Sequence, residues 1–357
     1  MPQAPVYFIP LSPDSREAER EAAVARLLSQ CTAAAVFAAG DRVALKTHVG
    51  DRTNDTHVKP GVIRTVVDWL RRAGARPFLT ETATLYKGER FDAISHLEHA
   101  FRHGFTFEAV GAPFVMADGL LGNTEIEVTI PGLLSQSVHV AREAVLADGL
   151  LAVSHPTGHL GTGLGACLKN LGMGLSSRIG KLRQHSSVKP FVKNASCTLC
   201  KACIKWCPEE AIIERDNKAF IITENCTGCG ECLAVCNFDA VSYNWGTESA
   251  ELQKSVAEHA YGAVIGKPGK CLFINVLADM TLDCDCMAKK QPKIMPDVGV
   301  ILSLDPVAVD QATLDLTKKA AKKDLGRQSY PHLDPTIQLS HAETIGLGTR
   351  EYELIEL

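Results

Sequence analysis

A chain of 357 residues is long enough for one large hydrophobic core or two to three smaller ones. A hydrophobic fraction of 46% with 22% charged residues excludes a disordered chain, and a net charge of −4 argues against a general nucleic-acid binder. No apolar run reaches the roughly 18 residues of a membrane helix, and the opening MPQAPVYFIPLSPDSREAERE lacks the basic start and apolar stretch of a secretory signal, so a cytoplasmic location is expected.

Taken in chain order, the first segments alternate strand and helix. VYFIPL is strand-like, and SREAEREAAVARLLSQ has helical periodicity with Ser15 as its expected N-cap. RVALKTHVG reads as a strand, and GVIRTVVDWLRRAGA as an amphipathic helix stopped at Gly74. RPFLTETAT is the next strand, and RFDAISHLEHAFRHG the next helix, ending at Gly104. GLLAVSH is a short buried-type strand leading into a glycine-rich stretch. After a cysteine-rich segment the rhythm resumes with the helix ELQKSVAEHAYGAVIG, the strands KCLFINVLA and VGVILSL, and the helix PVAVDQATLDLTKKA, with Pro306 in its first turn behind the capping Asp305. This pattern predicts an α/β fold, a mostly parallel sheet with helices on both faces. The cysteine-rich segment interrupts it, giving an α/β domain in two parts, 1–193 and 245–357, around a small α+β insertion at 194–244.

Thirteen cysteines in a reducing compartment do not suggest disulfides, and eight of them lie between Cys197 and Cys236. Cys197, Cys200, Cys203 and Cys207 follow C-x₂-C-x₂-C-x₃-C, with Pro208 next. Cys226, Cys229, Cys232 and Cys236 repeat the spacing, with Asn237 in place of proline. Three thiolates so spaced wrap one 4Fe–4S cluster, and the fourth cysteine of each run crosses to the other. One cluster is therefore expected on Cys197, Cys200, Cys203 and Cys236, and a second on Cys226, Cys229, Cys232 and Cys207. Zinc is the bland alternative, but zinc sites use two separated C-x₂-C pairs rather than runs of four. The segment resembles the two-cluster bacterial-type ferredoxins, with AIIERDNKAFIITENC as the hairpin between the halves. Such clusters move single electrons, which implies a redox protein as partner.

Two further stretches hold candidate ligands. SHPTGHLGTGLGACLKNLGMG carries His155, His159 and Cys167 among glycines after a strand, where open α/β sheets bind ligands. It matches neither a dinucleotide fingerprint nor a P-loop. It is either an ordinary tight loop or a site for a metal or small anionic substrate, to which Lys169, Asn170, Arg178, Lys181, Arg183 and His185 would add positive charge. TLDCDCMAKK places Cys284 and Cys286 beside Asp279, Asp283 and Asp285. Two cysteines at i and i+2 face one side of an extended backbone. Three readings stay open for them: plain buried thiols, an additional metal ion or cluster completed by His155, His159 or Cys167, and a redox dithiol. Lys46, His48, Asp51 and His57 in KTHVGDRTNDTH fall at a strand end in the same region, whereas Cys31 and Cys271 look like core cysteines.

Taken together, KTHVG, SHPTGH…GACLKNLGMG…KLRQHS, the two cysteine runs, DCDC and PDVGVILSLDPVAVDQA resemble the ferredoxin-bearing members of domain-of-unknown-function family 362. The resemblance implies an α/β domain with an inserted dicluster ferredoxin, and no settled reaction. An electron carrier is one expected function. The other is a redox enzyme whose clusters feed a site made by the 155–167 loop with Cys284 and Cys286. An iron–sulfur sensor or assembly factor is a third class. Donor, acceptor, substrate and oligomeric state are not written in the sequence.

Overall fold

The computed structural model describes residues 3–30, 36–185, 189–226, 230–242 and 249–357, so Cys31 and Cys229 lie outside the described residues. An eight-stranded sheet runs through the molecule in the order Tyr352–Glu356, Ala4–Pro10, Gly299–Ser303, Cys271–Leu277, Gly149–Ser154, Arg42–Lys46, Arg76–Glu81, Phe114–Met116. Every neighbouring pair is parallel except the two made by Gly299–Ser303, which runs antiparallel to both its neighbours. The α/β architecture expected from the alternating pattern is what forms.

Alternate residues of the central strands enter two different cores, as the twofold period of a strand requires. Val43, Leu45, Leu151, Val153, Ile274 and Val300 face the helices Glu17–Gln30 and Pro60–Arg72, through Leu27, Leu28, Ile63, Val66 and Leu70. Ala44, Leu150, Ala152, Phe273 and Ile301 face the helices Cys167–Gly172, Ser249–Val264 and Pro306–Ala321 on the other side. Asp305 caps the last of these as expected, its carboxylate accepting from the amides of Val307 and Ala308 at 2.8 and 2.9 Å.

Two local expectations are corrected, and a third stretch gains its form. Ser15 gives its hydroxyl to Asp297 at 2.7 Å instead of capping, and the helix starts at Glu17, because the buried Arg20 guanidinium draws Ser15, Asp279 and Asp297 into one polar cluster. The strand read over RVALKTHVG stops at Lys46, where the chain leaves the sheet. The glycine-rich stretch is a small hairpin, with Thr157–His159 paired to Gly163–Gly165.

The cysteine-rich segment stands off the large sheet and has its own core. Two antiparallel ribbons, Phe191–Val192 with Val241–Ser242 and Ile212–Arg215 with Lys218–Ile221, accompany two one-turn helices, Ala202–Lys205 and Glu231–Ala234. Moving 29 residues along the chain maps one half on the other. The pairs Phe191↔Ser242 and Val192↔Val241 become Phe220↔Ile213 and Ile221↔Ile212. The residue before each short helix is left-handed in both halves, Lys201 at φ 64° and Gly230 at φ 80°.

Candidate functional site

Because Arg42–Lys46, Arg76–Glu81, Gly149–Ser154 and Cys271–Leu277 are mutually parallel, their carboxyl ends share one rim of the sheet. Lys46 ends its strand fully buried. Its Nζ donates to Glu81 Oε1 at 2.7 Å, to Asn170 Oδ1 at 2.8 Å and to the Thr47 carbonyl at 3.0 Å. Glu81 also meets His96 Nε2 at 3.2 Å and Arg90 at 3.6 Å. Arg90 donates to Asp51 at 3.0 Å, to the Tyr86 hydroxyl at 2.7 Å and to His48 Nε2 at 3.0 Å. Burial works against every charge here. Lys46 is lowered for that reason despite Glu81, while burial raises Glu81 but Lys46 more than offsets it and holds the carboxyl well below the usual range. Burial, helped by Arg90, keeps His48 neutral. The rim thus carries a preorganised network of paired charges.

Above this network the glycine-rich hairpin and the DCDC run lie against each other. A Cβ on Gly158 would stand 2.1 Å from the Leu282 carbonyl, so only glycine lets the two backbones approach this closely, with Gly158 N donating to the Thr281 carbonyl at 2.9 Å. His159, Cys284 and Cys286 present one nitrogen and two sulfurs within 4.8 Å of one another, a group that can hold a metal ion. In the structure the two sulfurs are bonded to each other as a disulfide. The chain turns at this point, so the extended backbone expected for the DCDC run is not what brings the cysteines together. Lys169 Nζ lies 3.4 Å from Cys284 Sγ and 4.0 Å from Cys286 Sγ, and burial lowers it to about 8. His159 is kept neutral by burial and by Lys169, with the amides of Gly161 and Thr162 holding its Nδ1 at 3.2 and 3.1 Å.

The other sequence candidates are distributed differently. His155 lies beside the run but stays out of the nitrogen–sulfur group. Its Nδ1 engages Asp285 at 2.8 Å and its Nε2 the Ala278 carbonyl at 2.8 Å, so both nitrogens serve acceptors. Burial opposes the charge on His155, but Asp285 raises it, so the pair anchors the middle of the run. The aspartates are equally committed. Asp279 pairs with Arg20, Asp283 with Lys289 at 3.0 Å, and Asp285 with His155 and Thr56. Cys167 is buried at the start of its helix, where Asp310 accepts from its amide at 2.9 Å, and burial pushes its thiol well up. Cys271 is half-buried in its strand. Of the polar residues after the hairpin, Lys169 reaches the sulfurs and Asn170 reaches Lys46, while Arg178 and Lys181 tie down the segment Thr82–Phe91 instead. Glu81, Arg90 and Tyr86 carried no motif signal, because nothing local in RPFLTETATLYKGER says that three side chains from a strand end and a loop converge.

That Thr82–Phe91 segment touches both unusual regions. Leu85 packs in the core of the cysteine-rich segment with Cys197, Cys203, Cys232 and Cys236. Tyr86 lines a cleft with Leu233, Cys236, Asp239 and Lys193, and its hydroxyl donates to the Cys286 carbonyl at 3.2 Å.

Within the cysteine-rich segment Cys197, Cys200, Cys203, Cys207 and Cys236 are free thiols. Burial pushes the Cys203 thiol up, and the nearness of Cys236, Cys200 and Cys197 adds to this, so a cysteine of the second run lies with three of the first. Cys207, Cys226 and Cys232 line a separate small cavity with Ile212, Ile221 and Gly230. Backbone amides point at the sulfurs in matching places. Ala211 N donates to Cys207 Sγ at 3.2 Å and Ala240 N to Cys236 Sγ at 3.3 Å, each after a left-handed residue, Glu210 or Asp239. Ala219 N donates to Cys197 Sγ at 3.5 Å.

Fold and site together define a mostly parallel α/β protein with a charged, cysteine- and histidine-bearing strand-end rim and a cysteine-rich segment against it. The chain belongs to the family described as Domain of unknown function (DUF362), whose model matches residues 43–315. Among solved structures, it is similar to the lactate racemase apoprotein from Thermoanaerobacterium thermosaccharolyticum, at 14% identity and a TM-score of 0.40, over 78% of this chain and 51% of that one. It is also similar to a protein from Thermotoga maritima, at 10% identity and a TM-score of 0.42, over 90% of this chain and 60% of that one. The chain therefore spans only about half to three fifths of the length of either, and likenesses this distant carry no functional argument. No curated protein matches the sequence. Among the described residues no helix is long and apolar enough to cross a membrane.

Proposed function

We propose that the protein is an iron–sulfur redox protein. A dicluster module at 194–244 is set into the α/β domain formed by 1–193 and 245–357. Cys197, Cys200, Cys203 and Cys236 hold one 4Fe–4S cluster, and Cys226, Cys229, Cys232 and Cys207 hold the other. The observations that carry this reading are the crossed grouping of Cys207 with Cys226 and Cys232 around one small cavity and the repeated amide-to-sulfur bonds. Thiolate ligands suit iron–sulfur clusters, and N–H donors to their sulfurs tune the potential. Bound clusters supply single-electron transfer. The chain's part is to cradle the sulfurs, exclude water with Leu85, Ile212, Ile221 and Leu233, and leave Cys200 exposed towards a redox partner in the cytoplasm.

A second reading, a redox enzyme, draws on a different observation: His159, Cys284, Cys286 and Lys169 meet over the buried network of Lys46, Glu81 and Arg90. This rim offers a place for a small anionic substrate beside Lys169, or for a metal on the nitrogen–sulfur group. Iron and acid-labile sulfide on anaerobically purified protein test both readings. About eight irons per chain are expected for two clusters, unchanged in a Cys284→Ser/Cys286→Ser double variant. A count near zero with bound zinc would overturn the electron-transfer reading. A count well above eight that falls to eight in the variant would move the chemistry to the rim.

A further inference from the structure

Three features of the DCDC run point one way. The sulfurs of Cys284 and Cys286 are already joined. The ammonium of Lys169 lies 3.4 and 4.0 Å from them, a cation in reach of both sulfurs. Each neighbouring carboxylate is committed to a partner other than the sulfurs, Asp279 to Arg20, Asp283 to Lys289 and Asp285 to His155. A divalent cation beside that ammonium would face a like charge, whereas a thiolate there gains an opposite one.

We propose that Cys284 and Cys286 form a redox-active disulfide, a two-electron store at the rim of the sheet, and not a metal site. In the reducing half-reaction the S–S bond breaks. Two electrons and one proton enter, Cys284 leaves as a thiolate against Lys169, and Cys286 takes the proton as a thiol. The reverse step returns both electrons to an oxidised acceptor of the disulfide or quinone class. The electrons come one at a time from a low-potential donor of the iron–sulfur class, so this inference rests on the cluster reading for its source. The path is short in covalent and contact terms. Leu85 lies in the core that holds Cys236, and the next residue, Tyr86, hydrogen-bonds the Cys286 carbonyl. Lys169 and Tyr86 are positioning residues here: one stabilises the leaving sulfur, the other fixes the run against the cysteine-rich segment.

The test is thiol mapping on the holoprotein. Anaerobic protein is poised with ferricyanide or with dithionite, blocked with N-ethylmaleimide and mapped by mass spectrometry, while electron paramagnetic resonance follows the clusters. The expected result is that Cys284 and Cys286 are unlabelled when oxidised and both labelled when reduced. Reductive titration should consume about four electrons per chain, two for the clusters and two for the disulfide, falling to about two in Cys284→Ser/Cys286→Ser. Lys169→Gln should retain the clusters and shift the disulfide midpoint to a lower potential. Labelling in both states with release of a bound metal would overturn the proposal in favour of a metal site. Cluster reduction with no labelling in either state would overturn it in favour of an inert crosslink. Absence of any cluster signal would sink the functional reading instead. Labelling after reduction by a phosphine would then judge the Cys284–Cys286 chemistry by itself.

Discussion

The cysteine-rich segment and the rim of the large sheet both gather chemically reactive side chains, but they are held in place by opposite means. In the segment, the candidate ligands are themselves much of the core. Cys197, Cys203, Cys232 and Cys236 are counted among its buried residues, beside a handful of aliphatics such as Ile212, Ile221 and Leu233. At the rim, the reactive groups are carried by strands packed between two extensive cores, and they are oriented by buried ion pairs, Lys46 with Glu81 and Arg90 with Asp51. A small unit with few aliphatic residues needs staples, whereas a large sheet supplies its own rigidity. On the proposed reading, one region would be organised by what it binds, while the other is organised before it binds anything.

The strongest way to break this contrast is to withhold iron. If ligands hold the segment, protein produced without clusters should lose nearly all hydrogen-exchange protection across 191–242 while the sheet strands stay protected. Equal protection in both regions would dissolve the distinction. At the rim, the sharpest probe is Lys46→Met, which removes the closest cation from the buried Glu81 carboxylate and leaves it His96 at 3.2 Å and Arg90 at 3.6 Å. It should cost about 3–5 kcal/mol in urea unfolding, with most of that recovered in Lys46→Met/Glu81→Leu.

A third probe reads scaffold electrostatics away from both regions. Glu258 accepts from the amides of Leu133, Leu134 and Ser135 at 2.7, 2.7 and 2.9 Å, and from His341 at 3.0 Å. Burial alone would raise it, but these partners hold it below the usual carboxylate value. A lowered folded value means stabilisation that is present above the unfolded carboxylate range and lost as pH falls through the folded value. Glu258→Gln should therefore cost about 1–3 kcal/mol at pH 7, and the difference from the parent should shrink below about pH 4. The smallest effect belongs to the internal repeat. Lys201 occupies the left-handed position that Gly230 fills in the other half, so Lys201→Gly should gain about 0.5–1 kcal/mol in thermal unfolding of the loaded protein. Gly230→Ala should lose more, because its Cβ would meet Leu182 Cδ2 at 2.5 Å.

Much of the molecule is legible in the sequence because its signals are local. The 3.6-residue period of GVIRTVVDWLRR and the apolar run GLLAV specify a helix and a buried strand whatever else the chain does. The cysteine spacing specifies a ligand pattern within a few turns of backbone, and Asp305 before Pro306 specifies a cap. The antiparallel Gly299–Ser303 strand was not legible, since a strand's direction depends on which neighbours it pairs with. Neither was the choice between His155 and His159 at the two cysteines. They are four residues apart and chemically alike, and only the hairpin at 157–165 turns one to the sulfurs and leaves the other against Asp285.

The sequence by itself determined the α/β rhythm, the two cysteine runs and their internal repeat, because each is written in residues close together along the chain. Only the tertiary structure decided that Lys46, Glu81, Arg90 and Asn170 form one buried network, that Lys169 faces Cys284, and that Leu85 and Tyr86 join the cysteine-rich core to the DCDC run. The physical reason is that a parallel sheet brings strand ends from positions 46, 81, 154 and 277 to one rim, and such contacts depend on strand order and register, which no local pattern encodes.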